Sequence, residues 1–276
     1  MEWSEIAAYW PFVLGLMATG VFSGLAAGLL GIGGGAIIVP ALSNALLWLG
    51  YDADVVMHVA VGTSLAIIIP TGIMSARSHH KRGALDMKVF RLWAPFILVG
   101  TLIGGLMAGL YSGDVLRIVF AVMAFVIAAN IVFAFQTKLM GHLHGSNLTH
   151  RICAFIVGYI SALMGIGGGS LSVPTQVAFG ATMHRAVGTS AALGVVIAFA
   201  GTIGFIVSGW GATGLPPLSI GYINLVALVL VASLAALFAP LGAALAHRLD
   251  QKTLKYVFAV FLVLVGLNML WKVVAG

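Results

Sequence analysis

The residues best suited to bind a ligand in this sequence are glycines, because a run of three occurs twice. Gly33–Gly35 leads to Val39-Pro40, and Gly167–Gly169 leads to Val173-Pro174, each after an apolar segment. A glycine break lets backbone amides open toward a ligand, and a helix that starts just after it directs the positive end of its dipole there. The pattern predicts an anion site that needs no Lys or Arg, with close helix packing as the alternative.

Two Thr-Ser pairs repeat in the same way, one after each glycine run. Thr63-Ser64 and Thr189-Ser190 both follow Ala-Val-Gly, and their hydroxyls either donate to a ligand or bond a carbonyl one turn earlier. His58 and His184 precede these pairs at predicted water boundaries, where a histidine can change its charge near neutral pH. They make the proton a candidate coupling ion, against the alternative of ordinary histidines at helix ends.

Acidic residues are missing from the predicted membrane interior, because all seven lie at segment ends or in loops. Cation carriers use such a buried carboxylate, so its absence favours an anionic substrate held by neutral donors. The histidines of the basic loops lack acidic or cysteine partners at ligand spacing, and we predict no metal. Gly31–Ala36 matches a dinucleotide fingerprint, but a helix of membrane length precedes it instead of a strand, so no cofactor is predicted.

The composition places the whole chain, 1–276, in one membrane domain. Hydrophobic residues make up 61% and charged residues 7%, with a mean hydropathy of +1.13, and the long apolar runs favour helices over barrel strands. The net charge of +6 comes from basic residues in short loops, which indicates membrane orientation and not nucleic-acid binding. No H-E-x-x-H or G-x-S-x-G motif is present, so we expect no enzyme. The sequence predicts an all-α integral protein of the inner or plasma membrane.

The chain is an internal duplication. Besides the glycine and Thr-Ser blocks, the segment 116–122 matches the segment 254–260, and the three blocks occur in the same order. Three ordered matches are far beyond chance. We place repeat one at 10–135, a cytoplasmic connector at 136–151 and repeat two at 152–276.

The basic residues predict that the two repeats have opposite orientations. The loop 77–91 carries five Lys and Arg and should be cytoplasmic, whereas its counterpart 209–219 has no charge. We therefore expect two inverted-topology repeats with both termini outside, each a glycine-tipped helical hairpin plus three further transmembrane helices. In repeat two the hairpin arms, 152–164 and 170–183, have 13 and 14 residues, about 20 Å each. Such hairpins should reach part way and bring their tips together near the midplane.

The pairing of L-x-G-I-G-G-G-x-x-x-V-P with a downstream A-V-G-T-S, in both halves, resembles the sulfite exporter TauE/SafE family of membrane permeases. The loop from Arg82 to Asp86 is also similar to the family's R-G-x-V-D, and the resemblance extends from about Gly24 to Asn268. It implies secondary transport of a small sulfur-containing anion of the sulfite, thiosulfate or organosulfonate class by alternating access. The site residues that the resemblance carries over are Gly33, Gly34, Gly35, Thr63, Ser64, Gly167, Gly168, Gly169, Thr189 and Ser190.

The second half is more polar than the first just after the glycines. Ser170, Ser172, Thr175 and Gln176 lie in this stretch. We add Ser170 and Gln176 to the site and expect the second half to make most ligand contacts. The alternative function is an anion-selective channel in which the tips form the constriction. The expected partners are the small anion and the lipid bilayer, and the sequence leaves the oligomeric state open, with a homodimer among the options.

Overall fold

The computed structural model describes residues 3–30, 34–133, 146–246 and 251–275, which form ten helices and one short strand pair. The first five helices are α1 (Trp3–Leu30), α2 (Gly35–Trp48), α3 (Ala53–Lys81), α4 (Met87–Ala108) and α5 (Gly113–Phe133). The other five are α6 (Asn147–Met164), α7 (Gly169–Ala178), α8 (Met183–Ser208), α9 (Leu225–Ala246) and α10 (Gln251–Val274). An antiparallel pair, β1 (Ser219–Ile220) and β2 (Ile223–Asn224), precedes α9.

Seven of the described helices contain a stretch long and apolar enough to cross a membrane, namely α3, α4, α5, α6, α8, α9 and α10. The short helices α2 and α7 have 14 and 10 residues. They rise about 21 Å and 15 Å, less than the roughly 30 Å hydrocarbon core. The prediction of an all-helical, multi-pass membrane protein is therefore confirmed.

The second hairpin differs from the prediction of two similar arms. Its first arm, α6, has 18 residues, because Ser146 caps the helix by accepting a hydrogen bond from the Thr149 N–H and so starts it inside the predicted connector. Its second arm, α7, has 10 residues and is followed by Gly180 at a φ of 89°. With a rise of about 27 Å, α6 is one of the helices long enough to cross a membrane, so this hairpin pairs one long arm with one short arm.

Polar side chains start the helices that follow the loops. Asp52 accepts a hydrogen bond from the Asp54 N–H at the start of α3, and Asp86 accepts from the Lys88 and Val89 N–H groups at the start of α4. Asn224 does the same for α9 by accepting from the Ala227 N–H. Each cap satisfies amides that have no partner within the helix.

The two sets of five helices, α1–α5 and α6–α10, interlock, because the fourth helix of each set packs on the first and third helices of the other. The fourth helix of the first set, α4, packs on α6 and α8, and the fourth helix of the second set, α9, packs on α1 and α3. The third helices, α3 and α8, also contact each other at the centre of the molecule, as α5 and α10 do farther out. The hydrophobic core therefore belongs to both sets together.

Glycines allow the closest approaches between these helices, and they include the G-x-x-x-G spacings Gly20–Gly24 and Gly105–Gly109. A Cβ on Gly24 of α1 would lie 2.8 Å from the Ala235 Cα of α9. A Cβ on Gly105 of α4 would lie 3.0 Å from the Gly204 Cα of α8. Only the absence of a side chain permits this spacing between backbones.

We expect Gly105→Leu to destabilise the fold by about 1–3 kcal/mol, because the added side chain must push α4 away from α8. The measurement is the temperature at which the purified protein in detergent loses its monodisperse elution peak. Gly15→Leu is the matched control, since a Cβ at Gly15 has no described atom within 4 Å. Equal melting temperatures for the two variants would contradict the packing argument.

Candidate functional site

Both glycine runs start a short helix, as predicted. The N-cap residues are Gly34 for α2 and Gly168 for α7, within two residues of the predicted starts near Ala36 and Ser170. Glycine has no side chain with which to cap a helix, so the first amides of both helices receive no bond from the N-cap residue. Of the predicted site, Gly33 lies outside the described residues.

The two glycine turns lie against each other. A Cβ on Gly35 would lie 3.0 Å from the Ile166 Cα, and it would clash with the Gly165 carbonyl oxygen. Ser64 Oγ donates a 2.7 Å hydrogen bond to that same oxygen. Gly167 faces the Ile68 side chain. The Ser64 hydroxyl thus bonds the opposite turn. This role differs from the two that the sequence suggested, which are donation to a ligand and a bond to a carbonyl one turn earlier in its own helix.

The two predicted threonines make reciprocal bonds across the molecule. Thr63 Oγ1 in α3 accepts a 2.9 Å hydrogen bond from the Asn224 N–H, and Thr189 Oγ1 in α8 accepts one of 2.9 Å from the Asp86 N–H. Asn224 and Asp86 are the residues that cap α9 and α4. Each threonine therefore holds the start of the fourth helix of the other set.

Buried polar groups follow the second glycine run along α7. Gln176 Nε2 donates a 2.9 Å hydrogen bond to Ser190 Oγ, and both side chains are buried. The Ser170 and Ser172 hydroxyls are buried too, with exposed fractions of 8% and 0%, and have no hydrogen-bond partner among the described residues. A buried hydroxyl without a partner is rare and calls for an explanation.

Ser172 is a residue that the predicted site omits. A Cβ on Gly168 would lie 3.2 Å from Ser172 Oγ and 3.3 Å from the Gly194 N. The spacing of four residues from Gly168 to Ser172 and again to Gln176 puts all three on one face of a helix. That spacing is present in the sequence and is the signal that would have indicated Ser172.

A cavity of about 390 Å³ opens beside this polar face. Its lining includes Trp93, His150, Gln176, Thr182, Arg185 and Thr189. Trp93 Nε1 donates to His150 Nδ1 at 3.1 Å, and the Arg185 Nη1 lies 3.4 Å from the Asp86 Oδ2. The cavity thus connects a solvent-exposed guanidinium with the buried Gln176 side chain.

His58 lies inside a closed network at the other end of α3. The ring is 4% exposed, with Nδ1 2.6 Å from the Asp54 carbonyl oxygen and Nε2 2.9 Å and 3.1 Å from the carbonyl oxygens of Ala108 and Tyr111. All three neighbours are acceptors, and only the doubly protonated ring can donate at both nitrogens. The Tyr222 ring packs against it with the ring centroids 4.7 Å apart and the planes tilted by 30°. Burial, together with the Asp54 carboxylate, raises the pKa of that phenol.

The same end is closed by a buried arginine. Arg117 is 3% exposed and donates to the Asp114 carboxylate at 2.6 Å and to the Ala53 carbonyl oxygen at 2.7 Å. Asp54 Oδ1 accepts a 2.7 Å bond from the Gly113 N–H. His184, the counterpart of His58, is instead exposed. The two duplicated histidines therefore lie in opposite environments.

In the part of the chain that the structure describes, no group of three His, Cys, Asp or Glu side chains is placed to hold a metal ion. The one cysteine, Cys153, is a half-buried free thiol in α6. The arrangement offers backbone amides, hydroxyls and an amide side chain, which are donors suited to an anion.

The comparisons with known proteins agree with the architecture. The family model of the sulfite exporter TauE/SafE matches residues 16–269. A probable membrane transporter protein of Haemophilus influenzae is 36% identical over 261 residues, covering 95% of this chain and 99% of the relative. The probable membrane transporter protein YunE of Bacillus subtilis is 27% identical, with 93% and 97% covered. No solved structure gives a significant match.

The family match covers nearly all of the described helices, and the two glycine turns and both Thr-Ser pairs lie within it. The chain therefore belongs to the sulfite exporter TauE/SafE family of membrane transporters.

Proposed function

We propose that this protein is a secondary transporter that moves a small sulfur-containing anion of the sulfite, thiosulfate or organosulfonate class by alternating access. One observation carries the proposal. The uncapped starts of α2 and α7 belong to two turns in contact, and the unpartnered hydroxyls of Ser170 and Ser172 lie in the first turn of α7.

The chemistry of this site suits an oxyanion. Helix starts present N–H donors and a partial positive charge of about half a unit, and the two hydroxyls add donors that have no other described partner. The acidic side chains that the structure describes, those of Asp52, Asp54, Asp86 and Asp114, lie at or next to the starts of α3, α4 and α5, and none lies in the first turn of α2 or α7. A sulfur oxyanion, with several acceptor oxygens, complements donors of this kind.

The reciprocal packing of the two sets of helices supports inverted-topology repeats. Asp86 lies in the basic loop 77–91 and Asn224 follows the uncharged loop 209–219, yet both donate a backbone N–H to a threonine of the other set. Positive-inside placement puts the basic loop in the cytoplasm, so its counterpart and both termini lie outside. We assign the protein to the inner or plasma membrane with this orientation.

The difference between the two ends supports alternating access over a channel. At the Arg185 end a cavity leads to Gln176, whereas at the His58 end the carbonyl contacts of His58 and the bond from Arg117 to the Ala53 carbonyl hold the helices together. A carrier exposes its site to one side at a time. A channel would need an aqueous path past His58 as well.

The proton is the coupling ion that we propose, with His58 as its carrier. Both inter-helix contacts depend on the Nε2–H of His58, so a ring without that proton would not tie α3 to the carbonyl oxygens of Ala108 and Tyr111. Protonation would thereby favour closure of this end. The groups that face the ring are the carbonyl oxygens of Asp54, Ala108 and Tyr111 and the Tyr222 phenol.

We expect Gly34→Leu and Gly168→Leu to abolish saturable exchange of labelled sulfite or thiosulfate in proteoliposomes, because either side chain would fill the turn. A Cβ on Gly168 already lies 2.9 Å from Ile197 Cδ1. Gly15→Leu, in open space, should keep full exchange. Unchanged exchange in both turn variants would refute the site, and conductance without counterflow would favour the channel.

We expect His58→Gln to keep counterflow exchange but to lose uphill accumulation driven by a pH gradient, since glutamine carries no titratable proton. His184→Gln is the matched control and should retain accumulation. The measurement is labelled-anion uptake with and without the gradient. Loss of accumulation in His184→Gln alone would overturn the assignment to His58.

A further inference from the structure

The polar face of α7 is matched by small and polar residues of α8. Gly168, Ser172 and Gln176 are spaced by four residues, and so are Ser190 and Gly194 on α8. Ser172 and Gly194 lie together beside Gly168, and Gln176 bonds Ser190 one turn farther along. Two polar layers are therefore stacked between the glycine turn and the cavity.

The cavity meets this stack at Gln176. Gln176 and Thr189 both line it, and Gln176 is 2% exposed. Gln176, which lines the cavity and donates a hydrogen bond to Ser190, lies one helical turn from the buried, unpartnered Ser172 hydroxyl, which does not line it. An anion that moves from the cavity to Ser172 must displace that bond.

The cavity lining carries two charged side chains, those of Asp86 and Arg185, and its cation is Arg185. Its side chain is 64% exposed, and its contact with Asp86 is a single one of 3.4 Å. Asp86 Oδ1 is engaged with the Lys88 and Val89 N–H groups. An exposed single-nitrogen pair contributes little stability, so the guanidinium is free to bind an oxyanion bidentately.

We propose that this cavity is the entrance for the oxyanion on the side of the basic loop, with Arg185 as its first binding residue and the Gln176–Ser190 bond as the inner gate. This proposal rests on the proposed function, from which it takes the substrate, a small sulfur-containing anion. It adds a recruitment site and a path to the glycine turn, and it adds Ser172 as the residue that the anion reaches after the gate.

The path has no counterpart in the first half. The positions on α2 that correspond to Ser172 and Gln176 are Ile38 and Leu42, both buried and apolar. A small anion would find no donor side chain there. The charge-selective entrance is therefore specific to the Arg185 end.

The first test measures access without transport. In a Cys153→Ser background, Thr182→Cys places a thiol on the cavity lining, and its reaction rates with anionic and cationic methanethiosulfonate reagents are compared. We expect the anionic reagent to react faster, by about tenfold at low salt, and Arg185→Gln to remove the preference. Ser112→Cys, beside Asp114 at the other end, is the control whose rates Arg185→Gln should not change.

Equal rates for the two reagents at Thr182→Cys, or a preference that survives Arg185→Gln, would overturn the entrance. The second test is exchange kinetics, in which Arg185→Gln should raise KM several-fold with little change in maximal rate, and Arg185→Lys should restore part of it. An unchanged KM would also overturn the role of Arg185. Absence of all sulfur-anion exchange in the unmodified protein, with the charge preference intact, would instead refute the proposed substrate.

Discussion

The amide groups at the starts of α2 and α7 set the constraint on which the rest of the structure depends. A helix that starts in the middle of a membrane protein has N–H groups without partners, and lipid offers none. Gly34 and Gly168 add no capping side chain. Both turns must therefore be enclosed by protein, and each turn helps to enclose the other. Gly35 packs on Ile166, and Ser64 donates a hydrogen bond to the Gly165 carbonyl. The same enclosure brings the positive ends of two helix dipoles close together.

This enclosure requires both sets of helices. The reciprocal bonds of Thr63 and Thr189 fix the starts of α9 and α4 to the central helices of the opposite set. Thr189 is adjacent in sequence to Ser190, which accepts the bond from Gln176. A shift of α4 relative to α8 would thus act on the polar layer next to the cavity. Thr189 and Ser190, which are consecutive residues of α8, therefore link the start of α4 to the polar face of α7.

Sequence reasoning located the helices and the glycine turns because these follow from local rules. Apolar length gives the membrane spans, and the glycines give the starts of α2 and α7 within two residues. It could not assign the partners of Ser64 or of the threonines, because residue type and helix position do not say which distant carbonyl or amide lies opposite. The length of α6 was missed because the cap at Ser146 lies outside the apolar run. The burial of His58, against the exposure of His184, depends on tertiary contacts that the duplicated sequence does not encode locally.

The duplication itself argues that the hydroxyls of α7 serve a ligand. Ser170 and Ser172 correspond to Ala36 and Ile38 of α2, where the same kind of turn and short helix is built from apolar side chains. The fold therefore does not need a hydroxyl at either position. Leaving such a group buried without a hydrogen bond costs about 1–3 kcal/mol, and both are in this state among the described residues. The oxyanion that we propose as substrate would accept from both hydroxyls and so remove that cost, and it would give a reason for polar residues in only one of the two duplicated turns.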